Sequence, residues 1–244
     1  MGNDNTHLLI DAGLSGKRVL SSLEEIGVDP MALDGILVTH EHSDHIKGVG
    51  ILSRKLDLPV YATTKTWEAM ESKLGDLSAK NMRDIQAGMD FYIKDLDISP
   101  VSIPHDAADP VFYSVMTGGR KMSVCTDLGY VTRSVFNAIS DADALLLEAN
   151  HDLDMLRAGR YPEQLKRRIA GRSGHLSNET CGKCLSQVAG TVRQVLLGHL
   201  SQENNTEQKA HSTIKQILTD NGIGDSDMNV DVLHREVRSH IYII

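Results

Sequence analysis

An apolar run, Ile36-Leu37-Val38, passes without a break into Thr39-His40-Glu41-His42-Ser43-Asp44-His45, so four potential metal ligands fall within six positions at a strand end. That juxtaposition constrains the fold more than anything else in the chain. The strand needs a buried sheet to lie in, and its C-terminal end must open where imidazoles and a carboxylate can converge. Imidazole nitrogen with carboxylate oxygen suits borderline or hard divalent ions such as zinc, manganese or iron. His40 and His42 stand two apart, so along an extended strand end they project to the same side. Asp44 and His45 lie beyond the strand, where the chain turns. The spacing therefore offers two ligand pairs, and two metals.

Around this motif, short apolar runs alternate with helical patterns. The pattern predicts strands at 8–11, 36–39 and 60–62, with helices over 15–26, 46–56 and 66–74 between and after them. Consecutive strands follow at 91–93, 96–103, 111–117 and 121–126, the last two joined by a Gly118-Gly119 turn. Then come a helix over 133–139, a strand at 144–148, helices over 162–170 and 179–188, and a strand at 195–198. A helix over 207–220 and strands at 230–233 and 241–244 complete the reading. Strand runs with helices on both sides predict an α/β fold, two mixed sheets between helices in an αββα sandwich. No Pro-, Gly- or Ser-rich linker divides the 244 residues, and the expectation is one domain over 1–244.

Composition sharpens this. Aromatic residues are 4% of the chain, so the core is mostly aliphatic. A formal charge of −8 makes the chain a poor general binder of polyanions. Between positions 157 and 172, however, six basic residues (Arg157, Arg160, Lys166, Arg167, Arg168 and Arg172) face one acid, Glu163. That run leads directly into His175 and favours an anionic substrate, with Arg167, Arg168 and Arg172 as its contacts. Three cysteines give no disulfide framework and point to a reducing, cytoplasmic setting. No apolar stretch reaches bilayer length, so no membrane is expected.

Other motifs read as structure. Gly13-Leu14-Ser15-Gly16-Lys17 lacks the spacing of a phosphate loop and reads as a tight turn opening a helix. Cys181 and Cys184 have C-x-x-C spacing inside a helix, with no second pair to complete a zinc site. Cys125 reads as a buried strand residue. His151 has equal claims to a structural role and to a hydrogen bond onto a ligand.

The sequence resembles the metallo-β-lactamase superfamily, and within it the YycJ/WalJ-like branch of metallohydrolases. The resemblance covers nearly the whole chain. It is carried by 9–16, 39–48, Ile103-Pro104-His105-Asp106-Ala107, Cys125-Thr126-Asp127-Leu128-Gly129, Glu148-Ala149-Asn150-His151-Asp152, Gly174-His175-Leu176-Ser177-Asn178 and Gly198-His199-Leu200-Ser201. It implies one ion held by His40, His42 and His105, another by Asp44, His45 and His199, and Asp127 bridging them. His105, Asp127 and His199 each follow a predicted strand, where converging ligands are well supported. Aspartate at the bridging position, where the best-known lactamases carry cysteine, points to hydrolases and phosphodiesterases. His42, where the flavin-linked diiron branch carries glutamate, points away from redox chemistry.

The resemblance implies a binuclear metal-dependent hydrolase, a phosphodiesterase or nuclease, and specifically a 5′ to 3′ exonuclease on DNA. A metal-bridging hydroxide would attack phosphorus, with Asp44 ligating and orienting it and His175 assisting the leaving oxygen. Zinc is the first expectation, manganese or iron the others. The substrate would be a phosphodiester, DNA or RNA. The same site also suits a carboxylic ester, thioester or lactone hydrolase, and a non-enzymatic metal-binding interaction protein is a third reading. The family carries an earlier strand and a Gly/Ser-rich turn, expected to be missing here because only Met1 to His7 precede residue 8.

Overall fold

The computed structural model describes residues 1–234 and 237–244. They form two compact units, Met1–Ser102 with Ala107–Gly118, and Ile103–Asp106 with Gly119–Ile244.

In the first unit, β1 (His7–Ile10), β2 (Leu33–Leu37), β3 (Val60–Thr63) and β4 (Met82–Ile85) form a parallel sheet in that order. Parallel neighbours need crossovers. These are α1 (Gly16–Glu25) between β1 and β2, α2 (Ser43–Ile46) with α3 (Val49–Leu56) between β2 and β3, and α4 (Thr64–Leu74) between β3 and β4. Ile36 and Val38 pack with Val49, Leu52, Val60, Met70 and Leu74. Leu37, pointing the opposite way, packs with Leu8, Ile98, Val111, Tyr113 and Val115. A strand buried on both faces reads as a continuous apolar run, as 36–38 does. The antiparallel strands β5 (Phe91–Ile93), β6 (Leu96–Ser102) and β7 (Val111–Thr117) complete this unit.

The second unit holds four parallel strands, β8 (Arg120–Cys125), β9 (Ala144–Glu148), β10 (Gln194–Gly198) and β11 (Asn229–Val232). Its helices are α5 (Arg133–Ile139), α6 (Leu153–Ala158), α7 (Glu163–Ile169), α8 (Asn178–Val188) and α9 (Glu207–Asp220). Thr132, Asp152, Ser177 and Thr206 cap four of them through side-chain oxygens that accept from first-turn N–H groups. A Cβ on Gly182 of α8 would lie 2.8 Å from the Ile217 side chain, so a glycine lets α8 and α9 approach closely.

Most predicted elements stand within two residues of their expected bounds. The expected strand at 241–244 is not there: those residues have no regular structure, and Ile243 is 94% exposed. β-propensity without a ladder partner makes no strand. The single helix expected over 46–56 is two helices parted at Gly48. Among the described residues no helix is long and apolar enough to cross a membrane.

Candidate metal centre

In the first unit the site is built where β1 and β2 end. Asp11 follows β1 with φ of 58°, a left-handed conformation uncommon outside glycine. That bend turns its carboxylate onto the motif. Oδ1 accepts from Thr39 N at 2.8 Å, and Oδ2 accepts from Thr39 Oγ1 at 2.8 Å and His45 Nδ1 at 2.7 Å. His45 thus carries its proton on Nδ1 and presents Nε2. The Thr39 hydroxyl, having donated to Asp11, accepts from His40 Nδ1 at 2.9 Å, so His40 also presents Nε2, 3.0 Å from His42 Nδ1. Asp44 is exposed, its Oδ2 3.9 Å from His45 Nε2. The turn after β1 buttresses this loop. Ala12 N donates to His45 O, Gly48 N donates to Ala12 O, and a Cβ on Gly13 would sit 1.5 Å from Asp44 O. Ser15 caps α1, so the glycine pair serves a turn and a helix start, as its spacing suggested.

In the second unit Asp127 is the hub. It lies two residues past β8 with φ of 58°, and His199 directly follows β10 with φ of 56°. Asp127 Oδ1 stands 3.6 Å from each of His105 Nε2, His175 Nδ1 and His199 Nε2. Behind it Glu148, the last residue of β9, is wholly buried. Its Oε1 accepts from His175 Nδ1 at 2.7 Å and His199 Nδ1 at 2.8 Å; its Oε2 accepts from Leu128 N at 2.9 Å and Leu176 N at 3.1 Å. Ligand atoms of Asp127, Glu148, His175 and His199 all lie within 4.8 Å of one another. His105 donates from Nδ1 to Gly174 O at 3.2 Å and turns Nε2 to Asp127.

The electrostatics follow. Burial alone would raise the Glu148 carboxyl, but the charges of His175 and His199 and the hydrogen bonds they donate outweigh it and hold Glu148 well below its ordinary range. Burial pulls the His175 imidazole down, and the Glu148 carboxylate beside it prevails and raises it. Burial lowers His105, keeping that ring neutral as a ligand must be.

Of the ligands read from the sequence, His40, His42, Asp44 and His45 belong to the first unit and His105, Asp127 and His199 to the second, where His175 stands beside Asp127. Arg167 is exposed at the end of α7, Arg168 pairs through Nε with Asp106, and Arg172 lies over the Tyr130 ring, 4.5 Å from its centroid. His151 is buried with Nδ1 unpartnered among the described residues, and burial holds its pKa down at about 4. Cys125, Cys181 and Cys184 are buried free thiols, raised by burial. Sequence reasoning had not singled out Asp11 and Glu148 as site residues. The available signal was an acid closing an apolar run, which burial tolerates only when the acid is fully hydrogen-bonded.

A family model described as the beta-lactamase superfamily domain matches residues 6–200. The chain is 41% identical over 225 residues to exodeoxyribonuclease YycJ of Bacillus anthracis, covering 92% of this chain and 85% of that protein. It is 43% identical over 220 residues to exodeoxyribonuclease WalJ of Streptococcus pneumoniae, covering 89% and 82%. Among solved structures, zinc-bound PqqB from Methylobacterium extorquens aligns with a TM-score of 0.72 at 19% identity, covering 96% of this chain and 83% of that one.

Proposed function

The chain belongs to the beta-lactamase superfamily, with the α/β metallo-β-lactamase fold of two sheets flanked by helices, and from that premise we propose a metal-dependent phosphodiesterase that shortens DNA from its 5′ end. The observation that carries the reading is the convergence of three imidazoles on one oxygen of Asp127, backed by a buried carboxylate that fixes two of the rings. Its residues fit divalent ions: His40, His45, His105 and His199 each have Nδ1 engaged and Nε2 presented, beside carboxylate oxygens.

In this proposal His40, His42 and His105 would hold one divalent ion and Asp44, His45 and His199 the other, with Asp127 available to both. Zinc suits such a nitrogen-rich set, and manganese or iron are the alternatives. Bound divalent ions would supply Lewis acidity toward the phosphate and an activated water near neutral pH. This chain's own residues do the rest. Asp11 and Glu148 lock the tautomers of His45 and His199, so their nitrogens need no reorientation. Asp44 orients the attacking water. His175, raised by Glu148, keeps a proton to give to the leaving oxygen. The proposal also includes one domain over 1–244 and a cytoplasmic setting, which the buried free thiols fit.

The test is to present metal-loaded protein with 5′-labelled DNA, RNA, bis-p-nitrophenyl phosphate and a simple thioester. Mononucleotide release from DNA is expected, lost in His42→Ala without change in circular dichroism. Turnover of the thioester alone would replace this reading with that of a carboxylic ester, thioester or lactone hydrolase. Metal binding with no turnover would favour an interaction protein.

A further inference from the structure

The basic run leading to His175 is not a uniform charged face. Lys166 donates to Arg157 O and Glu163, and Arg157 pairs with Asp154, all inside the run or next to it. Two other arginines are fixed from outside. Arg168 donates through Nε to one oxygen of Asp106, whose other oxygen lies 3.4 Å from His105 Nε2. Arg172 is exposed and sits over the ring of Tyr130, three residues past Asp127. The loops bearing these residues are interlocked: Asp106 N donates to Ser173 O at 3.1 Å, and Gly129 N to Pro104 O at 2.9 Å. A Cβ on Gly129 would lie 2.1 Å from Arg172 O, and one on Gly174 would lie 2.1 Å from Ile169 O. Arg168 and Arg172 therefore ride on the same rigid assembly as His105, Asp127 and His175.

We propose that Arg168 and Arg172 form a nucleotide subsite beside that cluster, with Asp106 and Tyr130 as the residues that position them. An arginine held through Nε still offers its terminal nitrogens as a fork for a phosphate, and no terminal nitrogen of Arg168 has a hydrogen-bond partner among the described residues. A guanidinium braced on a tyrosine presents its other plane to a base, and bases stack on such planes in single strands. Each side chain already has a protein partner before the substrate arrives, which lowers the entropy cost of contact. The inference rests on the nuclease reading and adds to it which arginines meet the nucleotide and what holds them.

The experiment measures binding of a labelled single-stranded phosphorothioate oligonucleotide, which resists cleavage, to metal-loaded protein by anisotropy at several salt concentrations. Tyr130→Leu should weaken binding about two- to fivefold, the worth of an exposed cation–π contact, without changing the salt slope. Arg172→Ala should weaken it at least as much, through the lost base stack, whereas Arg168→Ala should weaken it and lower the slope by about 0.7, the single-strand value for one lost phosphate contact. The double variant should bind no worse than Arg172→Ala, because Tyr130 acts through Arg172. Tyr130→Phe keeps the ring and should match the parent. An oligonucleotide with an abasic end should bind more weakly and be indifferent to Tyr130→Leu. By the same logic Asp106→Asn should cost affinity in the parent background but not on top of Arg168→Ala. Additive losses in either pair, or an equal loss from Arg167→Ala, would overturn the subsite. A parent protein that shortens DNA while showing that additivity refutes only the subsite; a parent that neither binds nor shortens DNA refutes the nuclease reading and the subsite with it.

Discussion

At the scale of single residues, two buried groups, Glu148 within the site and His151 outside it, do not read alike from the sequence. Glu148 accepts four hydrogen bonds, two on each oxygen. A glutamine of the same shape has one acceptor oxygen, so either orientation sets its NH2 against two donors. Glu148→Gln should therefore reduce metal affinity or turnover about 10- to 100-fold, the usual effect of losing a partner behind a ligand, checked by metal titration and steady-state rates. His151 makes the complementary case. Burial lowers its pKa from 6.5 to about 4, so between those values the unfolded chain binds the proton and the folded chain does not. Its contribution is fully present above pH 6.5 and is lost as pH falls toward 4, amounting to about 3 kcal/mol. Urea titrations of metal-free protein at pH 7.5 and 4.5 should show a smaller acid loss in His151→Gln than in the parent. The histidine motif at 40–45 was legible because its ligands are neighbours in sequence. The grip of Glu148 on His175 and His199 was not, because those partners lie 27 and 51 positions away and only the fold brings them together.

At the scale of elements, periodicity located what packing enforces and missed what it does not. α5, β9 and α9 fall on their predicted bounds because each presents an unambiguous apolar face or run. β4 escaped notice because Met82-Arg83-Asp84-Ile85 buries none of its residues fully, and α6 because six residues hold less than two turns of pattern. Neither omission touches the site, whose side chains sit on the turns that close strands β1, β8 and β10 with left-handed backbone at Asp11, Asp127 and His199. Such conformations cost about 1–3 kcal/mol each and persist where the surroundings fix them. Backbone packed on backbone does that fixing. Gly129→Ala should destabilise the protein by about 1–3 kcal/mol, since neither the Arg172 carbonyl nor Gly174 N, 2.9 Å away, is a flexible end that can yield. Gly118→Asn, at φ of 56° with nothing within 4 Å, should change the melting temperature little. Equal shifts in the two variants would mean that loop interlocking contributes nothing.

At the scale of the whole molecule, a chain of net charge −8 carries a locally basic run at 157–172, so affinity for a nucleic acid through that run would be local and strongly salt-dependent. The same acidity bears on the metals. His40, His42, His45, His105 and His199 bring no negative charge, while Asp44 and Asp127 bring two, and divalent cations binding only to the folded arrangement stabilise it by mass action. At a free concentration about 100 times the dissociation constant each site adds about 2.7 kcal/mol. For a chain of this length that is about 5–10 °C in melting temperature per site. Stripping the protein with a chelator should therefore lower the melting temperature in two steps, and readdition should restore two ions per chain by elemental analysis. His199→Ala should retain one ion and one step, because it removes a ligand from only one of the two proposed sets, whereas Asp127→Ala should weaken both. A stoichiometry of one in the parent, with His199→Ala unchanged in metal content and melting behaviour, would contradict the shared carboxylate. It would leave His199 paired with Glu148 as a structural histidine, and the chemistry would then have to proceed from a single ion.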